Sequence, residues 1–329
     1  MIQDVTLRTM RQGDVDAVAA QCAETLTYDE FANHLPCLLS GPNHYGIVAT
    51  AAHSDGKIIG ACIVSTDETT TDTVEPLVPV VGSSARSGYL DLLVVSPSWQ
   101  GGGVGKRLLA AAEELLVDLG CTEVKVAGNS PHYAWPGVDV RYLSAVCLLD
   151  ANGYERHATT LNLSVSFRST RLATRLAEER LAKQGVRFKR GTSQDAPWLH
   201  EELAPLWKAR WVDQITSVTS TATRYNHHQG LHLALVGTHC VGFCAWGVSR
   251  PNELGPLGTH PDFRRLGIGG VLLRRCCRDQ RKLGLCAAEL QWAGPLEYFS
   301  RALNAKTSRV FFMYTKRVGR CARGSHRAD

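Results

Sequence analysis

The sequence has no apolar run of the roughly 18 residues that a membrane-spanning helix requires. Its first residues, Met1-Ile2-Gln3-Asp4, lack the basic stretch and apolar core of a secretion signal. The 11 cysteines include no Cys-x-x-Cys pair, and no carboxylate-rich stretch follows the histidines near His228 and His232. We therefore expect a soluble cytoplasmic protein with free thiols, no metal ion and no membrane contact.

The sequence also lacks a basic surface that would indicate nucleic-acid binding. The net charge is +5, but the tail from Thr315 to Asp329 holds five basic residues against one acid. The rest of the chain is nearly neutral, and we expect a flexible tail from about residue 317 to residue 329. A composition of 44% hydrophobic and 20% charged residues excludes a disordered chain, and 329 residues correspond to about two domains. We expect a monomer or a homodimer.

What the sequence does contain is an internal repeat. A strand, a glycine-rich turn and an amphipathic helix occur twice at one constant offset. The aligned pairs are Pro97 with Pro261, Trp99 with Phe263, Gln100 with Arg264, Gly103 with Gly267, and Gly105 with Gly269. The first copy has additional residues within Thr66–Ser87, which we interpret as a long polar loop.

Periodicity predicts the same order of elements in both halves, and therefore an α/β layered fold in which a twisted mixed sheet is flanked by helices. We assign residues 1–168 to a first domain, 169–185 to a linker helix and 186–329 to a second domain. The predicted elements of the first half are 14–25, 44–66, 88–96, 103–119, 123–128, 140–152 and 155–167. Those of the second half are 196–211, 231–248, 253–260, 267–283, 286–293, 296–304 and 309–317.

A glycine turn between a strand and a helix presents backbone N–H groups to an anion, and a diphosphate suits it. Two common phosphate motifs are excluded. The ATP-binding loop needs Ser or Thr after Gly-Lys, whereas Gly105-Lys106 is followed by Arg107. The dinucleotide fingerprint needs a Gly-x-Gly-x-x-Gly spacing that neither repeat has.

The spacing resembles that of the GNAT superfamily of acyl-CoA-dependent N-acyltransferases. The signature of that family is Arg/Gln-x-x-Gly-x-Gly/Ala after an apolar strand and Val-x-Pro, and it matches Gln100–Gly105 and Arg264–Gly269. The second copy departs from it at Thr259-His260-Pro261, where the valine is missing. The double copy resembles the tandem GNAT proteins of actinomycetes, such as mycothiol synthases and acyltransferases of secondary-metabolite clusters.

The resemblance implies that acetyl-CoA or another acyl-CoA binds through the turn amides, and that its pantetheine arm pairs with the strand before the turn. In the first repeat these positions are Leu93, Val94, Val95, Gln100, Gly101, Gly102, Gly103, Val104, Gly105 and Lys106. In the second repeat they are Leu257, Gly258, Thr259, Arg264, Arg265, Leu266, Gly267, Ile268, Gly269 and Gly270. Asn129 is a further candidate for contact with the cofactor, or else an ordinary turn residue.

Transfer to an amine needs a base, because a lysine-like amine is protonated at pH 7. The resemblance favours Glu253 as that base and leaves Asp91 of the first repeat as a second candidate. The family's acid tyrosine position falls on Leu149 in the first repeat, which cannot donate a proton. In the second repeat it falls on Tyr298 or Ser300, depending on the alignment.

We therefore expect the second repeat to be the transferase and the first to hold acyl-CoA in a structural or regulatory role. The expected function is transfer of an acyl group to the amine of a small metabolite. A catalytically degraded acyl-CoA sensor and a protein N-acetyltransferase remain alternatives. The segment containing Trp135 and Asp139 is a candidate wall of the first site, and an ordinary surface loop explains it equally well.

Overall fold

The computed structural model describes residues 5–29, 38–39, 43–52, 56–66, 86–128, 135–207, 209–219 and 228–319. Asn129, most of the Thr66–Ser87 loop and the end of the basic tail lie outside these residues. The chain divides into two compact units, one formed by residues 1–159 and 311–329 and the other by residues 160–310. We call them unit 1 and unit 2.

Unit 1 is a mixed sheet with helices on its faces. Its strands β1 to β4 are antiparallel neighbours in chain order, and β5 is parallel to β4. In chain order its elements are β1 Val5–Thr9, α1 Val15–Thr25, β2 His44–Ala51, β3 Ile58–Thr66, β4 Ser87–Val95, α2 Val104–Asp118, β5 Glu123–Val126, β6 Val138–Asp139, α3 Leu143–Ala151 and the start of β7 Glu155–Ser166.

Helix α2 covers the centre of this sheet through an apolar face. Val104, Leu108, Leu109, Ala112 and Leu116 are all buried, at the spacing of three to four residues that places side chains on one side of a helix. The sheet beneath has glycines where the helix approaches closely. A Cβ at Gly88 would lie 2.7 Å from a methyl carbon of Leu116, so a larger residue there would displace the helix.

Unit 2 repeats most of the element order of unit 1, but a further helix precedes its first strand, two helices replace α1, and it has no described counterpart of β6. Its four-stranded sheet runs β11-β10-β9-β8, with antiparallel neighbours throughout. In chain order its elements are α4 Arg175–Ala182, β8 Val186–Arg190, α5 Ala196–Leu203, α6 Ala209–Ser217, β9 Gly230–Val236, β10 His239–Trp246, β11 Leu254–Thr259, α7 Ile268–Lys282, β12 Ala287–Leu290, α8 Leu296–Leu303 and the start of β13 Lys306–Arg317.

The last strand of each half belongs to the unit formed by the other half. In unit 2, β12 pairs with the end of β7, from Ala287 opposite Ser166 to Leu290 opposite Leu163. In unit 1, β5 pairs with the end of β13, from Thr315 opposite Lys125 to Arg317 opposite Glu123. The compact units therefore do not follow the ranges 1–168 and 186–329, which describe the duplication of the sequence.

Several helices and strands differ from the sequence prediction. The linker helix is shorter than the predicted range 169–185 and occupies Arg175–Ala182. The helix expected at 196–211 is two helices, α5 and α6. Strands β1 and β8 were not predicted. The fold class is confirmed, because each unit contains a sheet with flanking helices.

The described residues contain no helix long and apolar enough to cross a membrane. Within the same part of the chain, no group of three or more histidine, cysteine, aspartate or glutamate side chains is arranged to hold a metal ion.

Candidate active site

The glycine turn of unit 1 begins where β4 ends. The Gln100 side chain folds back and donates from Nε2 to the carbonyl oxygen of Val95, at 3.0 Å. Gly101 and Gly103 then adopt φ angles of 74° and 80°. Residues with a Cβ disfavour this left-handed region, so the glycines explain why the chain turns here and enters α2 at Val104.

The outer side of this turn is open. A Cβ at Gly101 would meet no atom within 4 Å, and one at Gly102 would first meet the Trp99 carbonyl oxygen at 3.5 Å. The first N–H groups of a helix have no partner within the helix, and the helix dipole favours an anion there. Val104 points the other way and is buried in the core. The turn therefore fits a diphosphate through its backbone, as the sequence predicts.

Next to the turn, β4 carries a β-bulge at Asp91. Ile63 of β3 lies opposite Leu92, whereas the next residue, Val64, lies opposite Leu90. Asp91 is thus the extra residue, and the alternation of side chains along the strand changes at this point.

Strands β4 and β5 pair only as far as Leu90 opposite Val126. Beyond that point, β4 continues to Val95 while the chain after β5 turns away through Ala127 and Gly128, which have φ angles of 59° and 79°. The β5 side of this last part of β4 forms one wall of a cleft. An extended molecule can pair with a strand edge of this kind.

The turn and the end of β4 line one cavity of about 460 Å³ in unit 1. Its other walls come from the end of α1, the segment from Trp135 to Tyr142, and α3. Of the predicted cofactor contacts, the lining includes Leu93, Val95, Gln100, Gly101, Gly103, Gly105 and Lys106. Val94 is instead buried in a core cluster with Ile63 and Leu92.

Asp91 lines the same cavity and is only 7% exposed. Its Oδ2 accepts a hydrogen bond from the Ser65 hydroxyl at 2.5 Å. Burial raises the pKa of Asp91 to about 7, because the ionised carboxyl loses hydration, and the Ser65 hydrogen bond offsets only part of this effect. A carboxyl with a pKa near neutrality suits proton transfer at physiological pH.

A second carboxyl group, that of Asp29, also lines the cavity. Its two oxygens accept separate hydrogen bonds, one from Nε1 of Trp135 at 2.9 Å and one from the Tyr142 hydroxyl at 2.8 Å. Two different segments of the chain therefore fix the orientation of this carboxylate.

A third carboxyl group belongs to Asp139, which also lines the cavity. Arg141 donates to both of its oxygens, from Nε at 2.9 Å and from Nη2 at 2.6 Å. The Arg141 guanidinium also lies 4.1 Å from the centre of the Tyr28 ring. This bidentate ion pair balances the charge of Asp139 and holds the segment before α3 in place.

The turn of unit 2 has the same backbone as that of unit 1. Arg264 donates from Nε to the carbonyl oxygen of Thr259 at 3.2 Å, as Gln100 does to Val95. Arg265 and Gly267 have φ angles of 65° and 97°. Arg265 therefore occupies a left-handed position that a glycine occupies in unit 1, which costs conformational energy.

The unit 2 turn differs in being covered by side chains of its own unit. Arg180 of α4 donates to the Leu266 carbonyl oxygen at 3.1 Å and would lie 3.1 Å from a Cβ at Gly267. The Tyr298 hydroxyl oxygen would lie 2.5 Å from a Cβ at Gly269. Arg180 and Tyr298 therefore lie against the turn of unit 2, whereas Gly101 in the turn of unit 1 faces open space.

Two further residues, Arg274 and Ile268, belong to the start of the helix that follows the unit 2 turn. Arg274 donates to the Gly270 carbonyl oxygen at 2.8 Å, which places a second guanidinium beside the first turn of α7. Ile268 points into the core, as Val104 does in unit 1. Residues 264–270, the predicted cofactor contacts, thus form a turn, and side chains of unit 2 lie against it.

The strand before this turn is also covered. Gly258 of β11 lies directly beneath the Phe243 ring, and the Trp207 ring would lie 2.9 Å from a Cβ there. Leu257 packs against the main core cluster of unit 2. β11 has a bulge at Gly255 and Pro256, where β4 has its own at Asp91. The bulge of unit 2 therefore lacks a carboxyl group.

Glu253, the favoured base from the sequence, lies directly before β11. Its Oε2 accepts a hydrogen bond from the Ser249 backbone N–H at 2.6 Å, and its own N–H donates to the Arg250 carbonyl oxygen at 3.0 Å. Gln280 donates to its backbone carbonyl oxygen at 2.9 Å. Burial raises the pKa of Glu253. These bonds close a local turn around Glu253.

Tyr298 and Ser300, the candidate acids, lie on α8, and both are exposed. The hydroxyl end of Tyr298 is shielded against Gly269, and burial raises its pKa to about 12. In unit 1 the atom nearest to a Cβ at Gly105 is a methyl carbon of Leu148, which therefore takes the place of Tyr298. Neither Leu148 nor its neighbour Leu149 can donate a proton.

Sequence reasoning missed Thr25, Asp29 and Tyr142 as cavity residues. All three lie outside the repeated motif, and no local pattern marks them. Asp29 lies just after α1 and Tyr142 just before α3. They can be recognised as cavity residues only when both helix ends are known to border β4. Trp135 and Asp139, by contrast, belong to the segment that the sequence analysis named as a candidate wall.

Comparison with known proteins gives the same assignment for both halves. The model of the acetyltransferase (GNAT) family matches residues 14–134 and 196–295, more than half of the chain. An aminoglycoside N(6')-acetyltransferase type 1 from Stenotrophomonas maltophilia is 34% identical over 79 residues, which are 24% of this chain. The match spans 46% of that enzyme, less than half of its length.

Two solved structures show the fold. A tandem GNAT protein from the clavulanic acid biosynthesis pathway is 13% identical, with a TM-score of 0.64 over 97% of this chain and 100% of that one. A GCN5-related glucosamine N-acetyltransferase region of a fungal multi-domain β-N-acetylglucosaminidase is 19% identical, with a TM-score of 0.73 over 95% of this chain and 38% of that one. The predicted tandem arrangement of two GNAT copies is confirmed.

Proposed function

The chain belongs to the acetyltransferase (GNAT) family of N-acyltransferases, and from this premise we propose that unit 1 is the active transferase. It transfers an acyl group from an acyl-CoA, with acetyl-CoA as the expected donor, to the amine of a small molecule. Asp91 collects the proton that the amine loses. Unit 2 has a structural role. This assignment of the two units is the reverse of the one favoured by the sequence.

The observation that carries the proposal is the position of Asp91. An open anion-binding turn and a buried carboxyl with a pKa of about 7 line the same cavity in unit 1. Unit 2 has Gly255 at the corresponding bulge, and Arg180 and Tyr298 cover its turn. Of the two units, unit 1 is therefore the one that combines an open turn for the acyl donor with a carboxyl group that can act as the base.

The cleft of unit 1 fits an acyl-CoA, because the space above Gly101 is open and the turn amides point to where a diphosphate would bind. Lys106 would add a positive charge at that end of the cavity. The edge of β4 from Leu93 to Val95 would pair with the pantetheine arm. An acyl-CoA supplies an activated acyl group as a thioester.

Asp91 prepares the acceptor by taking up a proton. An amine with a pKa near 10.4 is almost fully protonated at pH 7, and making it neutral costs about 4.6 kcal/mol. A carboxylate within the cavity, directly or through one water molecule, can accept that proton. The leaving thiol has a pKa near 8.5, so it needs less help from an acid. Leucines at positions 148 and 149 are consistent with a transfer that needs no acid tyrosine.

A matched pair of variants tests which turn binds the donor. Gly103→Asp and Gly267→Asp place the same negative charge, at the same left-handed backbone position, in the two turns. Release of CoA thiol from acetyl-CoA is measured with a panel of small amines, including an aminoglycoside, and mass spectrometry identifies the product. We expect activity in the wild-type chain and in Gly267→Asp, and a loss of at least about tenfold in kcat/KM for Gly103→Asp. Activity that survives Gly103→Asp but not Gly267→Asp would assign the reaction to unit 2.

A further inference from the structure

Ser65 is a polar residue in an otherwise apolar row of β3. Side chains alternate along a strand, so Ala61, Ile63 and Ser65 lie on one face of the sheet, and all three are fully buried. The first two pack in a core cluster with residues of α1, so this face looks towards α1. Burying a hydroxyl at the third position is unfavourable unless it finds a hydrogen-bond partner, and Asp91 is such a partner.

The Ser65 hydroxyl holds one oxygen of the Asp91 carboxyl group. It donates to Oδ2 at 2.5 Å. In the register of the two strands Ser65 lies opposite Tyr89, and Asp91 is the extra residue of the bulge that follows along β4. The extra residue of a bulge is left out of the regular pairing between strands. The side-chain bond therefore anchors β3 to the part of β4 that strand pairing holds least.

The other oxygen of this carboxyl group, Oδ1, remains for the acceptor. Within the described part of the chain, the Asp91 side chain accepts its hydrogen bond through Oδ2, and Asp91 also lines the cavity that contains the open turn. A base takes up a proton only when its oxygen lies within hydrogen-bond reach of the donor and points towards it. A carboxyl group that is already fixed by one oxygen loses little conformational entropy when the amine arrives.

The same hydrogen bond favours the ionised carboxyl group, which is the form that can accept a proton. Burial raises the pKa of Asp91, the Ser65 hydroxyl lowers it, and the balance of the two is about 7. Without the hydroxyl, the carboxyl group is expected to stay protonated to a higher pH. Ser65 therefore affects both the direction in which the carboxyl group points and the pH range in which it is ionised.

Other titratable side chains lie on the elements around this pair. His44 of β2 lies opposite Ser65 on one side, Tyr89 of β4 lies opposite it on the other, and Cys22 of α1 is buried on the same face of the sheet. The remaining titratable groups of the described cavity lining are Asp29, Lys106, Asp139, Tyr142 and Cys147. A test of Ser65 must therefore observe the titration of the Asp91 carboxyl group itself.

We propose that Ser65 is a positioning residue for the base: its hydroxyl fixes Oδ2 of Asp91, so that Oδ1 faces the cavity and takes the proton that the amine loses. This inference rests on the proposed function. The proton passes from the ammonium nitrogen to Oδ1, and the nitrogen keeps the electron pair that attacks the thioester carbonyl carbon. As the C–N bond forms and the C–S bond breaks, the sulfur leaves with the electron pair of that bond and receives the second proton that the nitrogen loses. Ser65 retains its own proton throughout.

The inference is tested with Ser65→Ala, which removes the hydroxyl. NMR of the full chain, labelled at the side-chain carboxyl carbons of aspartate, follows the titration of Asp91, and the spectrum of Asp91→Asn assigns its signal. Loss of a hydrogen bond to a charged group predicts that the pKa of Asp91 rises by about one pH unit or more in Ser65→Ala. This measurement needs no turnover. It is also unaffected by the titration of His44, because it reads the carboxyl group directly.

Thiol release from acetyl-CoA is measured in parallel across the same pH range. In Ser65→Ala the acid limb of kcat/KM is expected to move up by the same amount as the titration, which makes kcat/KM about tenfold lower at pH 6. The plateau of kcat at high pH is expected to fall about two- to fivefold because the carboxyl group is less well oriented, with KM for acetyl-CoA within about twofold.

Two further variants separate the hydrogen bond from general effects on the strands. Ser65→Cys fills the same space with a weaker donor and is expected to shift the titration in the same direction as Ser65→Ala. Ser87→Ala is the matched control, because it removes another buried hydroxyl, at the start of β4, which accepts a hydrogen bond from Lys125 at 2.9 Å. It is expected to change neither the titration of Asp91 nor the acid limb.

An unchanged titration of Asp91 in Ser65→Ala, or the same change in Ser87→Ala, would overturn the inference and leave the proposed function standing. A raised pKa of Asp91 without a matching move of the acid limb of kcat/KM, or with no thiol release from any amine in the wild-type chain, would contradict the proposed function. The role of Ser65 would then fall with it, although the contact between the two side chains would be established.

Discussion

Replacing Asp91 with asparagine removes the proposed base while changing little else. The asparagine side chain has nearly the same size, and its carbonyl oxygen can still accept the hydrogen bond from Ser65. A positioned general base typically contributes about 10²–10⁴-fold to a rate, so kcat/KM for the amine is expected to fall by that factor. Binding of acyl-CoA is expected to remain, because the turn from Gly101 to Gly105 is unaltered.

The dependence on pH follows from the pKa of about 7 at Asp91. Below that pH the carboxyl is protonated and cannot accept a proton from the amine. The kcat/KM of the wild-type chain is therefore expected to rise as pH increases through about 7. Asp91→Asn is expected to lose this step in its pH profile, a result that general damage to the fold would not produce.

The same substitution is expected to stabilise the fold at high pH. The unfolded pKa of an aspartate is near 3.9, and the folded value at Asp91 is about 7. A folded pKa above the unfolded one means that the folded state binds the proton more tightly, so stability falls as pH rises from about 4 to about 7. Three pKa units correspond to at most about 4 kcal/mol of unfolding free energy at pH 8.

The Asp91→Asn variant has no carboxyl group to ionise at this position. Urea denaturation at pH 8 should therefore give it a higher free energy of unfolding than wild type, and this difference should shrink towards pH 4. Full activity in Asp91→Asn, or a lower stability than wild type at pH 8, would contradict the role of Asp91 as a buried base. Glu253→Gln is the matched control, since its carboxylate caps a local turn. It is expected to keep full activity in unit 1.

Three further predictions concern groups around the two turns. Tyr298→Phe is expected to leave kcat and its pH profile unchanged, because this hydroxyl packs on the turn of unit 2. A drop of tenfold or more in kcat would indicate instead that Tyr298 is the proton donor. Trp135→Phe removes one hydrogen bond to Asp29 and is expected to lower the free energy of unfolding in urea by about 1 kcal/mol or more, and an unchanged stability would show that this bond contributes nothing to the fold. Lys106→Ala is expected to raise the acyl-CoA KM about two- to fivefold, an effect that shrinks at high salt, and a salt-independent change would exclude an electrostatic contact.

The turns could be predicted from the sequence because their left-handed backbone positions favour glycine. Gly101, Gly103 and Gly267 all adopt left-handed φ angles, and this preference appears in the sequence as a glycine spacing that occurs twice. The apolar positions of α2 likewise determine which face packs on the sheet. These are local constraints, so they can be inferred without knowledge of the tertiary structure.

Strands β1 and β8 left a weaker signal that the sequence analysis overlooked. Both strands end shortly before an aspartate that binds a basic residue of the strand, Arg8 with Asp14 and Lys189 with Asp195. Each aspartate also accepts a backbone N–H bond that closes the following turn. This repeated pairing of a basic residue with an aspartate extends the duplication to the start of each half.

The exchange of last strands and the assignment of the active unit depend on tertiary contacts. The partners of β7 and β13 are strands far away in the sequence, β12 for the end of β7 and β5 for the end of β13, and no local pattern marks them. The bulge at Asp91 appears only in the register with β3, and the cover of the second turn depends on Arg180, which is distant in sequence. For these reasons the sequence favoured Glu253 over Asp91.

The most direct test of the account is a crystal structure of the chain grown with saturating acetyl-CoA. We expect the diphosphate to lie within hydrogen-bond distance of the backbone N–H groups between Gly101 and Gly105, with the thioester beside the end of β4 near Asp91. A diphosphate bound instead at Gly267–Gly269, with Arg180 and Tyr298 displaced, would contradict the assignment of the transferase to unit 1.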